Sequence, residues 1–311
     1  MRIPTRADLA SLLRSPLPVP SRGLPITDTA PDPGLFGPGS VTWRVMAEPL
    51  LMLGAGRALL MQAAHPLVAE GAIEHSTYAS DPFGRFERTV EWVTVVCFGT
   101  TAEARRVSRH VNRLHGEVRG SLARGHGNTR VRARTAYSGK DAGLLLWVHA
   151  TFVDTMLASH DAFVGGLSAA DADRFVREWH AVAALMGVPA SMLWSDRAAL
   201  SAYVEEQVRS GLVLPGAGSR LVAQTILNPP LSSARLRPAF AALNFTTVGL
   251  LPAAVRRGYD IGWTPAHSAA HAAIRLSVRR MRPTLPARMR TSPVYDRAMD
   301  RTLGRLRAES A

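Results

Sequence analysis

A chain of 311 residues with 47% hydrophobic composition holds enough apolar material for one large core, which excludes a disordered chain. Its single cysteine, Cys97, excludes an intramolecular disulfide and a cysteine-cluster zinc site, and nothing asks for an oxidising compartment. A net charge of +13 raises nucleic acid or anionic membrane as partners, but one lysine, Lys140, stands among arginines spread from Arg2 to Arg307, so the charge reads as a solvated basic face and no nucleic-acid partner is expected.

Residues 1–40 carry Pro16, Pro18, Pro20, Pro25, Pro31, Pro33 and Pro38 without sustained periodicity and read as an irregular arm. Their first twenty positions hold Arg2, Arg6 and Arg14 but no continuous apolar stretch or small-residue cleavage site, so the expected location is cytoplasmic. From Val41 the pattern turns helical, with a break near Gly54 and Gly56 and an end at His65-Pro66. The segment EHSTYASDPFGR reads as a turn before a helix over 86–98. Thr100 and Glu103 have capping-box spacing and open a helix to about residue 120, whose Val107, Val111, Leu114 and Val118 define an expected buried stripe.

An Arg- and Gly-rich loop over 121–139 precedes a strongly apolar helix over 141–164, expected to be central. Ser168 with Asp171 starts a helix ended by Gly187 and Pro189, and another begins at Ser195 or Asp196. Segments 221–227, 236–255 and 266–280 also read as helical. No strand alternation, internal repeat or domain-sized linker appears. The fold class is therefore all-α: one domain of about eight to eleven helices, with the arm at 1–40, a helical domain at 41–265 and a helical extension at 266–311. The apolar runs at 49–61 and 243–255 are too short and broken for a span of about 18 residues, so no transmembrane anchor is expected.

There is no Gly-rich phosphate loop, GxSxG elbow or HExxH, which removes the common nucleotide and hydrolase readings. Ten histidines remain, of which His65, His115 and His149 sit in apolar helical contexts. His115 projects beside the expected stripe, where an imidazole needs a hydrogen-bond partner or a metal. Its own helix does not decide between the two. Arg85 and Thr89 lie at i, i+4, with Arg88 between them, and suit an anionic ligand such as a propionate, or else ordinary surface pairs. A non-haem site built from His65, His115 and His149 is a further form the histidines could take.

Taken in order, His65-Pro66, GAIEHSTYASDPFGRFERT, VNRLHGEVRG and GLLLWVHATFVDTML resemble the MpaB-like family, which includes the rubber oxygenases called latex-clearing proteins. LPAAVRRGYDIGW looks like the C-terminal portion of the same domain, so the resemblance spans 36–263. It implies a helical fold with a globin-like core that binds haem b and uses dioxygen to cleave carbon double bonds. His115 then matches the proximal iron ligand, Arg85 and Thr89 match positions beside the haem, and His149 matches a haem-pocket histidine. Arg88 stands where rubber oxygenases carry a lysine that ligates iron from the distal side; arginine stays protonated and has no lone pair to give. The sixth position is expected to be open, water-filled or taken by a histidine, with His65 the leading choice. Glu70 and Glu74 lie near the position of a glutamate that could serve as base, which with Arg88 makes up the catalytic side. The implied function is a haem b oxygenase acting on a hydrophobic small molecule with dioxygen. The alternatives are a haem-binding or sensing protein without turnover and a basic nucleic-acid-binding protein.

Overall fold

The computed structural model describes residues 32–231 and 233–303. Most of the expected N-terminal arm, 1–31, lies outside the described residues, as do Ser232 and 304–311. Helix α1, Val41–Met46, starts where Ser40 accepts a hydrogen bond from Trp43 N. A 3-10 turn over Pro49–Gly54 follows, capped by Glu48, and then α2, Ala55–Ala63, so the expected interrupted helix is three separate pieces. Pro49 at the start of the turn explains the break, since proline cannot donate back into a continuing helix. Helix α3, Pro66–His75, is capped by His65, and α4, Pro82–Phe98, by Asp81, which accepts from Gly84 N and sets the start four residues before the expected one.

The capping box is present as expected: Thr100 Oγ1 accepts from Glu103 N while Glu103 accepts from Thr100 N, opening α5, Thr101–Glu117. The expected buried stripe of α5 is a correction. Glu103, Ala104 and Ser108 are its buried residues, Val107, Val111 and Val118 are half-buried, and Leu114 is 48% exposed. The inward face is therefore rotated by about one position, and His115 lies on it rather than beside it.

Strands β1, Arg119–Ser121, and β2, Ala136–Ser138, form an antiparallel pair with Gly120 opposite Tyr137. They correct the strand-free reading, because three residues are too few to show a period of two. Helix α6, Ala142–Phe163, starts on Asp141, which accepts from Gly143 N and Leu144 N. Its length and composition would suit a membrane span, but most of it is buried inside the protein, as the core reading expects. Helices α7, Ala169–Glu178, and α8, His180–Met186, divide at Trp179 what the sequence presents as one helix, and Gly187 closes α8 at φ 91°, a left-handed cap. Then come α9, Arg197–Arg209, α10, Ala217–Leu227, α11, Arg237–Leu250, α12, Ala253–Gly258, α13, Pro265–Met281, and α14, Pro293–Thr302. Among the described residues eleven α-helices have nine residues or more, and three have six or seven; the latter are too short to register as a period.

The core gathers Trp43, Leu60, Met61, Trp147, Leu157, Phe175, Trp179 and Leu200, with Val294 and Ala298 of α14 in the same cluster. Burying side chains of this size contributes about 1.5–3 kcal/mol each. Two of the indoles find carbonyls: Trp43 Nε1 donates to Cys97 O at 2.7 Å and Trp147 Nε1 to Met61 O at 3.1 Å. Cys97 itself is fully buried, as expected, and burial pushes its thiol pKa up. A charged exception to the apolar core is Arg57, buried on α2, which donates to Asp154 Oδ2 and Thr155 Oγ1 at 2.6 Å and to Leu250 O at 2.9 Å.

Candidate functional site

Helices α4 and α5 are joined by the short turn at Gly99 and Thr100 and pack on one another as an antiparallel hairpin. Arg85, Thr89 and Trp92 recur at i, i+4 and i+7 on α4, and Ser108, Val111 and His115 at i, i+3 and i+7 on α5. Arg85 Nη1 donates a short hydrogen bond to Thr89 Oγ1, and Arg85 Nε donates to Ser76 Oγ at 3.3 Å. Arg85 keeps an exposed side, yet packing around its guanidinium desolvates it enough to lower its pKa, with Arg88 lowering it further and Tyr78 opposing.

His115 presents a buried Nδ1 with no hydrogen-bond partner among the described residues. Burial lowers its pKa, and Lys140 and then Arg85 add to the effect, so the imidazole is held in the neutral form with a lone pair available. Lys140 is fixed by donation from Nζ to Asn112 Oδ1 at 2.9 Å, one turn before His115. The turn that carries it lies on the end of α5, where a side chain at Gly139 would put its Cβ 2.6 Å from the His115 carbonyl oxygen. That close approach requires glycine.

His65 is buried and uses Nδ1 to accept from Leu67 N at 3.2 Å. Burial lowers its pKa to about 4, against the pull of Asp141. Thus His65 and His115 flank the same 139–141 turn. Glu70 is almost wholly buried and accepts from Ala123 N at 3.2 Å and His126 Nδ1 at 2.6 Å, which ties α3 to the 121–139 loop. Glu74, one turn on, accepts a short hydrogen bond from Tyr137 Oη of β2. Arg88 faces the 76–81 turn, donating to Thr77 Oγ1 at 2.9 Å and to Asp81 Oδ2 at 3.3 Å.

His149 lies two turns into α6, which places it about 12 Å along the axis from the Asp141 end. Its ring stacks at 5° on Trp194, with centroids 6.2 Å apart, and lies 6.3 Å from Trp179. Burial lowers its pKa to about 3, helped by His180. Arg85 and Thr89 thus lie on the helix packed against that of His115, and Arg85 acts on the imidazole electrostatically, while His149 belongs to an aromatic wall with Trp179 and Trp194. Among the described residues no three His, Cys, Asp or Glu side chains form a group able to hold a metal, which overturns the site of His65, His115 and His149.

The sequence reading missed Ser76, Lys140, His126, and the pair Trp92 and Ser108, whose Nε1 and Oγ are buried without partners. Only Trp92 carried a signal, its place seven residues after Arg85. A separate pocket of about 230 Å³ opens between α10 and the 259–261 turn, lined by Arg220, Gln224, Tyr259 and Asp260 among others; it shares no residue with the His115 group.

Chemically, one neutral imidazole can supply one ligand to a metal, and a guanidinium beside a hydroxyl can hold an anion. The model of the family described as ER-bound oxygenase mpaB/B'/rubber oxygenase, catalytic domain, matches residues 43–286. The chain belongs to this oxygenase family. No curated protein and no solved structure matches it. The matched stretch runs from α1 past α13 and includes Arg85, Thr89 and His115. Membership makes this an oxygenase catalytic domain by kinship, with a small-molecule substrate and dioxygen as its reactants.

Proposed function

We propose that this family member is a cytoplasmic haem b-dependent oxygenase that oxidises a hydrophobic small molecule, with cleavage of a carbon–carbon double bond as the reaction in view. The observation that carries the proposal is the buried, partnerless Nδ1 of His115 beside the Arg85–Thr89 pair. A lone protein ligand suits a metal that arrives with its other donors already in place, as iron in a porphyrin does. When bound, the haem supplies the iron-centred oxygen chemistry. Arg85, oriented by Thr89 and Ser76, is suited to hold a propionate.

On the other side, Arg88 has no lone pair and is engaged with Thr77 and Asp81. His65 accepts at Nδ1 from Leu67 N, which places the proton of its neutral ring on Nε2 and removes the lone pair there. Both facts support an open sixth position. Glu70 accepts from Ala123 N and His126 Nδ1, which holds its carboxylate against the 121–139 segment.

Titration of the purified chain with hemin tests the reading. One equivalent should give a Soret band, Arg85→Leu should weaken hemin binding roughly tenfold by losing a charge-assisted pair, and oxygen uptake should follow addition of unsaturated apolar molecules. No Soret band sinks the proposal. A Soret band without oxygen uptake favours the haem-binding protein without turnover, for which Arg88 in place of lysine is the supporting feature.

A further inference from the structure

The acids of this chain are more unevenly placed than its arginines. Residues 207–295 hold 12 arginines against one acid, Asp260, so this stretch carries +11 of the net +13. The ion pairs it makes use Arg209, Arg220 and Arg282. Exposed Arg235, Arg237, Arg279, Arg280 and Arg288 take part in none among the described residues.

Much of this charge surrounds a helix that leaves large aliphatic side chains exposed. Helix α13 packs on α6 and α11. Its inward side is His271, Ile274, Arg275 and Val278, while Leu276 and Met281 face outward among alanines, with His267, Ser268 and Ser277 also exposed. Leu276 is 47% and Met281 61% exposed, and Leu236, at the start of the neighbouring α11, is 39% exposed. A surface helix ordinarily turns its aliphatic side inward and its charge outward. Here the outward side sets Leu276 and Met281 among alanines and serines and ends in Arg279 and Arg280, which are in no ion pair among the described residues.

We propose that the α11–α13 face docks the protein peripherally on an anionic lipid bilayer. Guanidinium groups pair with lipid phosphates, and Leu276 and Met281 enter the boundary between headgroups and acyl chains. Nucleic acid would match the charge but gives the aliphatic side chains nothing to enter. A second copy would set one strongly basic face against another. This docking does not rest on the haem proposal.

The test is co-sedimentation of the full chain with vesicles of phosphatidylcholine alone and of equal parts phosphatidylcholine and phosphatidylglycerol. Binding is expected with the mixed vesicles only and should fall as salt rises. Arg279→Gln with Arg280→Gln should lower the partition coefficient roughly 30-fold, about fivefold per arginine. Leu276→Ser with Met281→Ser should lower it about tenfold at unchanged charge. Both double variants change exposed side chains, and an unchanged circular dichroism spectrum verifies their fold. Absence of vesicle binding overturns the proposal. So does unchanged binding by the Leu276→Ser, Met281→Ser variant, with salt-dependent retention of duplex DNA then assigning the charge to nucleic acid. A dimer in light scattering that the same variant dissociates would assign the face to a second copy and overturn it as well.

Discussion

At His115 a ring nitrogen is shielded from water and, among the described residues, has no group to satisfy it, as is also true of His160 Nδ1 and His271 Nε2; what sets His115 apart is the Arg85–Thr89 pair on the facing helix α4. Leaving a buried nitrogen unpaired costs on the order of 1–3 kcal/mol, so the position is stable only if something else completes it or the loss is tolerated. Burial, Lys140 and Arg85 all lower its pKa and keep the lone pair free near neutrality. On the proposed reading the coordination position away from His115 is open, because Arg88 and His65 are both committed elsewhere. Carbon monoxide should therefore bind the reduced, hemin-loaded protein readily, read as a shift of the Soret band; slow or absent binding would show a second protein ligand. The proposed role of His115 rests, in the sequence, only on the ordered set of segments around it. Val107, Val111 and Leu114 suggested a buried stripe that excluded it, yet Leu114 is half exposed and His115 faces inward. A helix as polar as α5 carries too few apolar residues to fix its rotation to within one position.

The helix boundaries that capping chemistry marks, at Thr100, Asp196 and Gly187, stand where the sequence places them. The β1–β2 pair and the divisions at the 3-10 turn and Trp179 were not legible, because pieces of three to seven residues leave no period. Nor did the sequence signal that Glu70 and Glu74 face the 121–139 segment, since pairing with His126 and Tyr137 is decided by how the chain returns over α3. Glu70→Ala should free that segment, and limited trypsin digestion should then cut faster among Arg124, Arg130, Arg132 and Arg134; an unchanged cleavage rate would contradict the clasp. Within the core, Arg57 and Asp154 hold α2 to α6. Arg57→Ala should lower unfolding free energy by about 3 kcal/mol, measured by chemical denaturation, because it strands a partly buried carboxylate. The double variant Arg57→Ala, Asp154→Ala should lose less than the single one; additive losses would mean the two do not act as a pair.

For the whole molecule, the all-α class and the single core were readable from composition and period, and the family was readable from motifs spread across most of the chain. Two buried neutral histidines give this fold a definite response to acid. In the unfolded chain both bind protons near pH 6.5, whereas folded His65 does so only near 4 and folded His149 near 3. As pH falls below 6.5 the unfolded state takes up protons that the native state refuses, so stability declines toward pH 4. Between pH 7 and pH 5 the loss is roughly 2 kcal/mol for each histidine. Denaturation midpoints at the two values measure it, and a midpoint equal or higher at pH 5 would contradict the burial of both rings.

The central assignment is that His115 supplies the one protein ligand to iron. The direct measurement is the absorption spectrum of hemin-loaded His115→Gly protein before and after adding free imidazole, beside the unaltered chain. The altered protein should lose the native Soret position and regain it with imidazole, which fills the space and restores the nitrogen. A His115→Gly spectrum identical to that of the unaltered chain without imidazole would show that iron is held elsewhere.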